Sequence, residues 1–133
     1  MDDEICYDMP TVMWLLDPVF SVLMGAYNSA STEAEEKAGT SEEEIRSIIT
    51  EVFEIPDEVA SNPVYARRVN LALQYLLAAE FAAPGEKPGC WRMADIELNE
   101  DGFMVAAFDI NEISRKYHAR ERARTGIILP FRR

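Results

Sequence analysis

Few side chains in this 133-residue chain could do chemistry, and most of those point away from catalysis. His118 is the single histidine, and a lone histidine among arginines reads as a surface residue rather than a general base. There is no Cys-x-x-Cys pair, no Gly-rich phosphate loop and no Ser/His/Asp set. Acidic residues crowd positions 33–44, but they lack the regular oxygen spacing and central glycine of a calcium loop. Cys6 and Cys90 lie far apart and make no metal-ligand pair, so they read as reduced, buried thiols. No metal, no cofactor and no enzymatic activity is expected. What the sequence does concentrate is hydrogen-bonding side chains: Asn62, Tyr65, Arg67, Arg68, Asn70 and Gln74. Arginine pairs with guanine, and asparagine or glutamine with adenine, so this pool suits the reading of base edges in a major groove. Lys87 and Arg92 would touch phosphate, and Arg115 and Lys116 could extend that surface.

The element that must position the pool is a helix over residues 62–79. Asn62 is a good N-cap and Pro63 suits the first helical position, where its missing N–H is no loss. At 100° per residue Tyr65, Val69, Ala72, Leu73 and Leu76 share one face, and Arg67, Asn70 and Gln74 share the opposite one. Two short strands follow, EFAAP and CWRMA, joined by the turn residues GEKPG. A buried-backed helix followed directly by a hairpin is the order of a winged helix-turn-helix.

Residues 1–8 read as an acidic leader, and their charge is the opposite of what a secretory segment needs, so a cytoplasmic protein is expected. The apolar run over 9–27 is interrupted by Asp17 and Pro18, which excludes a membrane span and leaves either one kinked helix or two short ones at the centre of the core. Its large residues, Trp14, Phe20 and Met24 among them, read as packing. Residues 28–40 are a surface loop or weak helix. Ser41-x-x-Glu44 is a capping box that opens a helix burying Ile45, Ile48, Ile49 and Val52 on one side. Pro56 stops that helix, and 56–63 is a turn segment. Beyond the hairpin come a short link, a strand over 102–110 and a cationic helix over 110–125 opened by Asp109-x-x-Glu112. The tail GIILPFRR is a final strand or a partner-binding segment.

Charge is polarised along the chain. Residues 1–58 carry fifteen acids and two bases, whereas residues 59–133 carry nine acids and eleven bases, within a net charge of −11.

The order of apolar helix, capped helix, VYARRVNLALQYLLAAEF and AAPGEKPGCWRMA resembles the N-terminal winged-helix domain of Mrr-type restriction endonucleases. The matching positions are Pro10, Pro18, Tyr65, Arg68, Val69, Ala72, Tyr75, Leu76, Gly89, Trp91 and Arg92, and the similarity covers about residues 9–95. Leu71 stands where the family commonly has a tryptophan. The family's nuclease chemistry needs Pro-Asp followed downstream by Asp/Glu-x-Lys to hold a metal and activate water. Pro56-Asp57 is present with no such motif after it, and Glu35-Glu36-Lys37 lies upstream. The resemblance therefore implies DNA recognition without cleavage, in a restriction, phage-defence or transcriptional setting.

The expected fold is α+β, mostly α: an acidic leader (1–8), a winged helix-turn-helix domain (9–95) and a strand-helix extension (96–133) packed on it. The expected function is non-catalytic binding of duplex DNA through helix 62–79 and wing 80–94. The alternative is an acidic winged-helix module for protein–protein contacts: an adaptor, an inhibitor or a decoy for a DNA-binding partner. A homodimer through the basic C-terminal helix and tail is compatible with either.

Overall fold

Thr11 starts the first helix, its hydroxyl accepting from the Trp14 N–H at 3.1 Å, and α1 then runs Val12–Ser29. The structure, a computed structural model, describes residues 9–95, 100 and 108–125. Helix α1 continues through Pro18, so Asp17-Pro18 is not a second helix start. An interior proline costs about 3 kcal/mol. Against it stand Leu15, Leu16, Val19, Phe20 and Leu23, all buried, each contributing roughly 1.5–3 kcal/mol. Burial wins, and the helix holds.

The polar stretch after α1 is a helix, α2 (Glu33–Ala38). Thr32 accepts from the Glu35 N–H at 3.1 Å, while the Glu35 carboxylate accepts from Ser31 N–H at 2.8 Å. Strand β1 (Thr40–Ser41) leads into α3 (Glu42–Val52), where Ser41 accepts from Glu44 N–H at 3.1 Å as its capping pattern predicts. The segment expected as a turn contains one helical turn, α4 (Asp57–Ala60). Helix α5 (Pro63–Ala78) opens on Asn62, whose Oδ1 accepts from Val64 N–H at 2.9 Å. Strands β2 (Ala82–Pro84) and β3 (Cys90–Met93) form the hairpin, and α6 (Ile110–Thr125) is capped by Asp109, which accepts from Asn111 N–H at 3.0 Å.

The sheet is antiparallel in the order β1-β3-β2, with Thr40 opposite Trp91 and Ala83 opposite Arg92. Mostly helical with one small antiparallel sheet, the architecture is the α+β, mostly α class that the sequence implies. The core lies where α1 crosses α5, and α3 closes it from one side. Tyr65, Val69, Ala72, Leu73 and Leu76 of α5 are all buried there, as their spacing predicts. Helix α6 packs on α5 by burying Ile113. The leader 1–8, the tail 126–133 and nearly all of the strand expected over 102–110 lie outside the described residues. No described helix is long and apolar enough to cross a membrane.

Candidate functional site

The polar pool on α5 is largely engaged inside the molecule. Asn62 caps its own helix. Tyr65 is 1% exposed and shares a hydrogen bond with the Thr50 hydroxyl at 3.3 Å, so it belongs to the core and not to a contact surface, a correction that its place on the apolar face explains. Arg68 is half-buried, and its Nη1 donates to the Pro10 carbonyl at 3.0 Å and, at 3.4 Å, to that of Met9. Asn70 donates to Glu42 Oε1 at 3.0 Å, which ties the outer side of α5 to the acidic start of α3. Gln74 accepts from Arg120 Nη2 at 3.4 Å. Arg67 is exposed and has no hydrogen bond or ion pair among the described residues.

Helix α6 covers the C-terminal half of α5's outer side. Tyr117 stacks on Tyr75 with ring centroids 4.2 Å apart and planes 11° apart, and His118 Nε2 lies 3.4 Å from the Tyr75 hydroxyl. Burial first, then the neighbouring Tyr117, push the Tyr75 hydroxyl above its ordinary pKa. Asn70, Leu71, Gln74, Tyr117, Arg120 and Glu121 line the open cleft between the two helices. Arg120 lies over the Tyr117 ring at 5.7 Å, and Glu121 takes Arg124 at 2.6 Å. That bond is the main cause holding the Glu121 carboxyl below its ordinary value. The cations of α6 are thus partly neutralised: Arg115 and Lys116 both reach Glu112, at 2.9 and 4.0 Å.

On the hairpin, Lys87 is exposed at the turn. Arg92 is half-buried, reaching Asp95 at 3.8 Å and the Met93 carbonyl at 3.4 Å. The turn itself is docked on α2, with Glu86 N–H donating to the Lys37 carbonyl at 2.8 Å. Helix α5, the hairpin and α6 therefore do not gather the ten expected contacts on one open cationic face. Arg67 and Lys87 remain the exposed cations of the α5–hairpin unit without a described partner. Cys90 is a free, half-buried thiol. Among the described residues no three His, Cys, Asp or Glu side chains converge as a metal centre requires.

A second surface was not anticipated. Ile45 and Ile49 are buried as expected, but Ile48 is only half-buried and Val52 is 64% exposed. Beside Val52, Phe53 is 47% exposed and packs edge-on against Trp14, itself 42% exposed, with centroids 5.2 Å apart. Ile48, Val52 and Phe53 line a groove of about 440 Å³ between α1 and α3, together with Pro18, Val22, Ala26 and Ile49. The size is that of a ligand cleft, and its lining is mainly apolar, with Ser21, Ser29, Thr40 and Glu44 its polar members, which suits apolar side chains better than a metabolite. The signal was present in the sequence: the apolar stripe of α3 runs on through Val52-Phe53, further than one neighbouring helix can cover.

Comparison of the chain with protein-family models, with curated proteins and with solved structures found no match in any of the three.

Proposed function

We propose that this chain is a winged helix-turn-helix protein without catalytic activity that works as a protein-interaction module. Support for the winged-helix reading comes from the order helix, β1, α3, α5, β2, β3 and from β3 lying between β1 and β2. The observation that carries the interaction role is the open apolar groove between α1 and α3, with Val52 and Phe53 exposed at its rim. Exposed aromatic and aliphatic side chains clustered at a groove are the usual anchors of a protein interface. The engaged state of Arg68, Asn70 and Gln74 and the net charge of −11 weigh in the same direction, against groove reading by α5.

Binding of duplex DNA is the second reading, favoured by one specific observation: Arg67 stands exposed and unpaired among the described residues near the start of α5. That is where a recognition helix meets base edges. The restriction or transcriptional setting implied by the Mrr resemblance belongs with this reading.

Two measurements separate them. A short DNA duplex is titrated across a salt series with the wild type and with Arg67→Glu/Lys87→Glu. Independently, a random-peptide display library is selected on the wild type and counter-selected on Val52→Asp. Groove-directed peptides without salt-sensitive DNA binding are the expected result. Tight DNA binding that falls steeply with salt and collapses in the double variant would replace the interaction reading with the second one.

A further inference from the structure

We infer that the α1–α3 groove takes a cationic amphipathic helix from a partner protein; this rests on the interaction-module reading and specifies its ligand. Three features of the groove select that occupant.

The first is length. The lining on α1 recurs at Pro18, Val22, Gly25 or Ala26, and Ser29, three helical turns, or about 16 Å at 1.5 Å per residue. A trough of that length between two helices matches the i, i+3, i+4, i+7 anchors of a helix laid into a groove.

The second is depth. A Cβ built on Gly25 would meet nothing within 4 Å, so the backbone of α1 is bare there and a partner helix can approach it closely. Ser21 and Ala26, also in the lining, are small and leave the trough open beside it.

The third is charge. Glu44 lines the groove, and Asp17, Glu51 and Glu54, all exposed, adjoin its lining residues in sequence. None of the four carboxylates has a cationic partner among the described residues. Residues 9–58 hold eleven acids and two bases, and those two bases, Lys37 and Arg46, already pair with Glu33 and Glu42. An apolar trough with one unneutralised carboxylate in its lining, in a stretch of chain with a large excess of acids, fits an apolar stripe flanked by lysine or arginine, and it disfavours an acidic helix.

The test uses the full chain, isotope-labelled, and two designed helical peptides of three to four turns. Both carry leucine at i, i+3, i+4 and i+7; one has lysine at the flanking positions and the other glutamate. With the lysine peptide, amide shifts are expected to cluster at Val22, Gly25, Ala26, Ile48, Val52 and Phe53. The glutamate peptide should bind at least ~10-fold more weakly, and the difference should shrink with salt. Glu44→Lys/Glu51→Lys should invert the preference, with a modest fall in the thermal midpoint because Lys at position 44 puts a cation in the first turn of α3. Glu51→Lys alone, at the far end of α3, should weaken the preference with the midpoint nearly unchanged. Equal binding of both peptides would overturn the cationic partner and leave the interaction module standing. Shifts in the same residues that grow with protein concentration alone would mean that a second copy fills the groove, which also overturns it. If neither peptide shifts the groove, and peptides selected by display bind elsewhere on the chain, the groove ligand fails while the module survives. If display selection also yields nothing, both fail.

Discussion

Arg68 donates from Nη1 to the carbonyl of Pro10 at 3.0 Å across 58 residues of chain, and so fastens the middle of α5 to the entry of α1. The arginine that looked like a base reader is a structural tie. Removing it leaves two carbonyls of a partly covered segment without their donor. Arg68→Ala is expected to lower stability by about 1–2 kcal/mol, read as a shift in the urea midpoint. Arg68→Lys should recover only part of the loss, because one ammonium replaces a planar fork. Amide exchange in the first turn of α1 should accelerate in both variants. Any affinity for duplex DNA should move no more than stability does.

The hairpin turn depends on a close backbone approach. A Cβ on Gly85 would overlap the carbonyl oxygen of Ala38, and both groups are backbone-fixed. Gly85→Ala must therefore push the turn off α2 and break the bond from Glu86 N–H to the Lys37 carbonyl. The expected cost is about 1–3 kcal/mol, with loss of exchange protection at Glu86 and Lys87. Gly89 sits at φ +77° with open space around it, so Gly89→Ala pays only left-handed backbone strain, roughly 1 kcal/mol. The ranking of the two variants in chemical denaturation checks the account.

Helix α6 should weaken at both ends of the pH scale, within itself on the acid side, where Glu121 pairs with Arg124 and Arg120, and in its packing on α5 on the alkaline side, where Tyr117 stacks on Tyr75. The Glu121 carboxyl is held below its ordinary 4.5 by the Arg124 hydrogen bond, opposed by desolvation and helped by the charges of Arg124 and Arg120. A lowered folded value means that its contribution is full above 4.5 and fades as pH falls through that lowered value. Tyr75 is shifted upward from 10.0 by burial and by Tyr117, so its contribution is full below 10.0 and is lost as pH rises past the raised value. Exchange protection over residues 110–125, followed by NMR, should be flat through neutral pH and fall at both extremes. Glu121→Gln should flatten the acid limb and leave the alkaline limb in place.

What could be read from the sequence was what is decided within a few residues. Ser41, Asn62 and Asp109 cap the helices their spacing predicts, because a cap is a bond to the next turn. The buried face of α5 and the span of α6 follow from period and composition in the same way. Strand β1 did not announce itself. Two residues carry no period, and Thr40 and Ser41 are a strand only because Trp91 and Cys90 lie beside them. The candidate site failed for a related reason. Standing off the apolar face of a helical wheel says nothing of which distant group arrives to meet a side chain, and Pro10, Glu42 and Arg120 arrived at Arg68, Asn70 and Gln74. For α3 the error ran the other way: four apolar residues at helical spacing implied full burial, while α1 and α5 cover only Ile45 and Ile49.

Gly25 offers a variant in which stability and binding should part. It lies in the interior of α1, where glycine is about 1 kcal/mol less favourable than alanine. Space is open around it, so an added methyl meets no atom within 4 Å. Gly25→Ala should therefore raise the urea midpoint, by roughly 0.5–1 kcal/mol, with the slope of the transition unchanged. The same methyl stands on the floor of the α1–α3 groove. If a partner helix seats against the bare backbone there, the more stable variant must bind the lysine-flanked peptide several-fold more weakly. A stabilised variant with unaltered affinity would mean that the partner rides higher, on Val52 and Phe53 alone. A variant that gains no stability would instead point to something already occupying the space beside Gly25.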